Sequence, residues 1–199
     1  MKLIKRLTAF TLIELLVVIS IIAILASLAL PAITGALARG QMTQSVSNMK
    51  QLHLVAQQIA LDGSTSGDTN LAWPGDLPTK TWAAWSGIVT NGYMTVADLA
   101  KMCSAPPITA SSNTVINSTA GTTRAVIAYQ VSETNDSAVV IFSSSNFTNQ
   151  ATPVAPVAAG KPFGNKGFVV FRKGGDGGVL QANQATNTNV VGGFATTLD

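Results

Sequence analysis

Cysteine, histidine and charge are all scarce in this chain of 199 residues, and each scarcity removes a class of function. Cys103 is the only cysteine, so no disulfide can close within the chain. A buried small hydrophobe is the ordinary fate of such a thiol. A reactive one needs a base nearby, and the only histidine, His53, falls on a helical stretch. There is no Ser-His-Asp candidate that spacing can support. No CxxC pair, HExxH or Walker-type glycine loop appears either. The expectation is therefore a protein that is not an enzyme, with no catalytic residue, no cofactor and no metal site. Gly174-Gly175-Asp176-Gly177-Gly178 resembles a cation loop only superficially. A hard cation wants six to eight oxygens, and Asp176 is the sole local carboxylate, so a tight turn between strands is the better reading.

Only 11% of residues are charged, with 12 basic and 9 acidic side chains and a pI of about 9.2. Lys2, Lys5 and Arg6 stand at the very start, and without them nine basic side chains face nine acidic ones. Phosphate neutralisation needs a basic excess. The balance, and the lack of any Lys/Arg run interleaved with aromatics, argue against a nucleic-acid partner.

What the chain does have is a long apolar run. Phe10 to Leu30 is 21 residues with a single charge, Glu14. At 1.5 Å per residue this crosses a hydrocarbon core of about 30 Å. The basic leader should stay cytoplasmic and send the rest of the chain outward. A cleaved secretory signal is one alternative, with Ala36-Leu37-Ala38 as an A-x-A site. The run exceeds the usual 7–15 residues of such a signal, however, and it carries an acid. A plain anchor explains the length but not Glu14. A buried core helix is disfavoured by the length. An acid in such a segment is costly unless something pairs with it.

Ala9-Phe10-Thr11-Leu12-Ile13-Glu14, with basic residues before it and an apolar helix after it, resembles the class III signal of type IV pilins and type II secretion pseudopilins. The resemblance implies cleavage between Ala9 and Phe10 by a prepilin peptidase, and N-methylation of Phe10. The family usually has Gly where Ala9 stands. The resemblance also implies an assembly role for Phe10 and Glu14. The new α-amine is protonated near neutral pH, and the acid would meet that of a neighbouring subunit. Such a pair adds little net stability but can fix register. The alternative is that Glu14 meets its own terminus or snorkels to the interface. A kink or local opening is expected at Pro31, which removes a helix donor and crowds the preceding turn.

Beyond the membrane, Met42, Val46, Met49, Leu52, Val55 or Ala56, and Ile59 recur at helical spacing. Gln41, Gln44, Asn48, Lys50, Gln51 and Gln57 occupy the other face, and Gly63 is the expected stop. Ser64 to Pro78 reads as loop, with Trp73, Trp82 and Trp85 capping the head or, less simply, stacking on carbohydrate. Thr95 is a candidate N-cap for a helix to Met102. Residues 124–131, 138–142 and 167–172 read as strands, with a short fourth strand at Val179-Leu180-Gln181 and a hairpin turn at Asn135-Asp136. The stretches between Phe147 and Lys166, and from Gln181 to Asp199, read as loop and irregular tail.

The expected fold is α+β, a long N-terminal helix packed on a small antiparallel sheet. The expected divisions are a leader at 1–9, a transmembrane helix at 10–33, its amphipathic continuation at 34–62 and a head at 63–199. Asn48-Met49-Lys50-Gln51-Leu52 and Lys101-Met102-Cys103-Ser104-Ala105-Pro106 loosely resemble a G-like pseudopilin group. The resemblance implies a filament subunit held in the bacterial inner membrane before assembly, with its head in the periplasm. Its implied partners are copies of itself, other pilins or pseudopilins, the peptidase and an inner-membrane assembly platform. The lack of a disulfide favours the pseudopilin side over a type IV pilin, minor tip subunit or adhesin.

Overall fold

The structure, a computed structural model, describes residues 11–118, 120, 122–147, 162–184 and 195–198. Its first element, helix α1 (Leu12–Ser66), is followed by α2 (Trp82–Thr90), α3 (Val96–Met102) and strands β1 (Val126–Ala128), β2 (Val140–Ser144), β3 (Phe168–Arg172) and β4 (Gly177–Leu180). The strands form one antiparallel sheet in the order β1-β2-β3-β4, as consecutive connections allow. This is the α+β arrangement expected. The chain divides into two compact units, Met1–Leu37 and Ala38–Asp199.

In the second unit the core lies between the sheet and two helices. Met42, Met49, Leu52, Ala56 and Ile59 of α1 are buried, at the expected three- and four-residue spacing. Phe142 and Phe171 are opposed in neighbouring strands, so their rings share one face of the sheet. Phe171 meets His53 of α1 at 5.3 Å, and Phe142 meets Trp85 of α2 at 5.6 Å. Both helices therefore cover the same face. Trp82–Thr90 forms a second helix inside what reads from the sequence as a tryptophan-bearing loop. Thr81 caps it, accepting from Ala84 N. Helix α3 starts where Thr95 predicts, with Thr95 Oγ1 accepting from Asp98 N at 3.1 Å.

Helix α1 does not stop at Gly63. It runs to Ser66 and ends at Gly67, whose φ of 74° provides the left-handed cap. Gly63 lies inside the helix, where a side chain has no room: Leu71 O would sit 1.6 Å from a Cβ there. Ser64, Thr65 and Ser66 carry the extra turn by donating to the carbonyls of Leu61 and Asp62. Asn48 also departs from the expected polar face. It is buried, accepting from Gln44 Nε2 and donating to Met102 O. A polar side chain with distant partners leaves no trace in periodicity.

The fourth strand begins at Gly177, two residues before the expected position. The turn before it carries Gly175 at φ 91° and an Arg172–Asp176 ion pair. Asp176 is thus committed to the hairpin. At the other edge, Thr197 bridges Tyr129 antiparallel, and Leu198 N donates to Ala128 O at 2.9 Å. The end of the supposed irregular tail is therefore partly sheet-like, with Leu198 fully buried. Residues 148–161 and 185–194, also expected to be loop and tail, lie outside the described residues.

Candidate assembly site

The first unit is described from Thr11 to Leu37. Fifteen large aliphatic side chains in it, from Leu12 to Leu37, are exposed. Burying such a side chain contributes about 1.5–3 kcal/mol, so leaving all of them in water costs tens of kcal/mol. This segment of α1 is long and apolar enough to cross a membrane, and among the described residues none of its most apolar stretch is buried. Either lipid or other helices must cover it.

The acid sits at the start of this helix and is held there locally. Glu14 Oε2 accepts from Thr11 N at 2.9 Å and from Thr11 Oγ1 at 2.6 Å. In return Thr11 Oγ1 accepts from Glu14 N at 3.3 Å. This is a capping box, Thr-x-x-Glu, which satisfies helix-end donors that lipid could not. The carboxylate also faces the positive end of the helix dipole. Among the described residues, Oε1 has no partner. The box is readable in the sequence as Thr11-Leu12-Ile13-Glu14. Ala9 and Phe10, the expected cleavage pair, lie outside the described residues. Thr11 is the residue next to Phe10, so the carboxylate already lies at the amide that a cleaved terminus would adjoin.

Pro31 stands inside α1, which continues through it. Thr34 Oγ1 donates to Pro31 O at 3.0 Å, and Ser27 Oγ donates to Ile24 O. Both hydroxyls bond back to a carbonyl one turn earlier on the same helix.

The head contains the other side chains singled out by sequence. Trp73, Trp82 and Trp85 are all buried, which corrects the carbohydrate-stacking reading, since no ring face is offered to a sugar. Trp82 donates through Nε1 to Val115 O at 2.7 Å, and Arg124 lies over its ring at 4.0 Å. Cys103 is fully buried, and burial pushes its thiol up to about 12, with Arg124 opposing the shift. That is an inert thiol.

His53 is a packing residue with one polar tie. Its ring lies between Trp73 and Phe171, and Nε2 is 2.7 Å from Lys173 O. Burial lowers its pKa below the ordinary 6.5, although the Lys173 carbonyl opposes this. The unfolded chain therefore takes up the proton first as pH falls. Stability of the head is full above about 6.5 and declines as pH drops from there through the folded-state pKa. Urea titrations at pH 7.5 and 5.5 should show the loss, and His53→Gln should reduce the dependence. Equal dependence in the variant would assign it to other groups.

Residues 5–30 match the family model described as the prokaryotic N-terminal methylation motif. No curated protein and no solved structure matches the chain. The chain thus carries a prepilin-type signal. The signal, on an exposed apolar helix, supports a type IV pilin-like or pseudopilin subunit that a prepilin peptidase processes and that assembles with other pilins.

Proposed function

We propose that this chain is a structural subunit of a type II secretion pseudopilin filament. The observation that carries the reading is the methylation motif at residues 5–30 on an apolar helix whose large aliphatic side chains, among the described residues, are exposed. The subunit waits in the inner membrane with its head in the periplasm. The peptidase cuts between Ala9 and Phe10 and methylates the new amine. A neighbouring copy then brings its terminus to Glu14, where Oε1 is still open among the described residues. Apolar helices replace lipid around one another as the filament grows, and Pro31 is the point where α1 can bend or open during this transfer. A separate ATPase supplies the work.

The pseudopilin side is favoured over the pilus side by the head's single, buried cysteine, which cannot staple a C-terminal loop. A tip adhesin acting through the tryptophans loses its support, because those rings are core.

Mass spectrometry of the mature N-terminus tests the processing step. N-methylated Phe10 is the expected terminus. A terminus at Arg39 would mean conventional signal cleavage after Ala38 and would overturn the reading.

A further inference from the structure

A cavity of about 640 Å³ in the head lies beside the part of α1 that follows the apolar segment. Such a volume is that of an ordinary small-ligand site. Arg39 and Lys166 both line it, with the amides of Asn165, Gln181 and Asn183, while Met42 adds an apolar wall. No acidic side chain lines it, and among the described residues neither Arg39 nor Lys166 has an ion pair. Two cations and several amide donors around one space make a site for an anionic group with many acceptor oxygens. Guanidinium suits phosphate by its planar fork, and ammonium by its concentrated charge.

Chain position identifies the source of that phosphate. Arg39 is the first charged residue after Glu14, with 24 uncharged residues between them. As helix these rise about 36 Å, between the roughly 30 Å of the hydrocarbon core and the 40–45 Å that includes headgroups. With Glu14 at one interface, Arg39 reaches the headgroup layer of the other.

We propose that this cavity binds the headgroup phosphate of an anionic phospholipid in the outer-facing leaflet of the membrane that anchors the chain. Arg39 and Lys166 grip the phosphate, and the amides donate to its oxygens or to the glycerol. The inference rests on the membrane-anchored state of the proposed function, but not on polymerisation. It gives the waiting subunit a second hold on the membrane, which must be released when the subunit leaves the bilayer.

The full chain, reconstituted in nanodiscs of equal phosphatidylglycerol and phosphatidylcholine, tests this by native mass spectrometry of co-released lipid. Phosphatidylglycerol should be enriched on the wild-type chain. Arg39→Gln with Lys166→Gln should lower its retention about 25-fold, at about five-fold per surface charge. Lys50→Gln with Lys101→Gln, whose lysines do not line the cavity, should retain it. Absence of enrichment, or equal retention by the Arg39/Lys166 variant, would overturn the proposal. So would dimers that form in phosphatidylcholine alone and vanish in that variant, since the occupant would then be an acidic group of a second copy. Vesicle flotation separates the two levels of failure. A chain that floats but shows no lipid preference sinks only the headgroup site, whereas one that does not float sinks the anchored state as well.

Discussion

Glu14→Gln should enter the membrane normally and still fail to enter filaments, with incorporation reduced by at least about 100-fold. The magnitude follows from leaving the incoming ammonium without its counter-charge in an apolar setting, where breaking a buried pair costs about 3–5 kcal/mol. The substitution is chosen against the local geometry. Glutamine also serves at the third position of a capping box, so Thr11 keeps an acceptor and the helix start is preserved. If Glu14 acts only as a cap, subunits carrying Glu14→Gln would assemble at the parental rate. Thr11→Ala supplies the converse case. It removes the cap, worth about 1 kcal/mol, but leaves the charge, so it should weaken assembly only modestly. Insertion is followed by carbonate extraction, and incorporation by the fraction of subunit in sheared filaments. A severe Thr11→Ala defect beside a mild Glu14→Gln defect would assign the carboxylate to helix capping and remove the intersubunit pair.

The parts of the molecule that were legible in the sequence are those ruled by local pattern. The apolar run, the buried face of α1 from Met42 to Ile59, the Thr95 cap and the β-branched strands β1, β2 and β3 all express spacing or propensity within a few residues. The illegible parts depend on partners far along the chain. Helix α2 was hidden because Trp82 and Trp85 are spaced for a core that the sheet supplies through Phe142. Asn48 and His53 are buried because Met102 and Lys173 bring carbonyls to them across 54 and 120 residues. The edge contact of Thr197 and Leu198 with β1 follows a tail whose composition promises no order. At the candidate site the acid itself was plain. Its reciprocal bonds with Thr11 were equally local, yet they stand in the same motif as the family signal, and the one meaning obscured the other.

The end of α1 offers the strongest test of the head. Gly63→Ala should destabilise it by more than about 3 kcal/mol, although alanine is the better helix former by about 1 kcal/mol. The reason is steric and specific. An added Cβ would lie 1.6 Å from Leu71 O and 2.6 Å from its carbonyl carbon, and these are backbone atoms. The Leu71 amide is itself fixed by donating to Asp68 O at 3.0 Å, so the turn after Gly67 would have to open for the methyl group to fit. Opening it moves Trp73, which is packed against His53 in the core. Gly87→Ala in α2 is the matched comparison, because nothing lies within 4 Å of a Cβ there and helix propensity alone acts. That variant should be more stable than the parent by up to about 1 kcal/mol. Urea unfolding followed by tryptophan fluorescence reads both, since all three tryptophans are in the head. Opposite signs for one and the same substitution in two helices would show that close approach of the chain to itself, not helix preference, dictates glycine at position 63. A neutral or stabilising Gly63→Ala would mean that the Asp68–Leu71 turn yields freely and that this end of α1 is not pinned to the head.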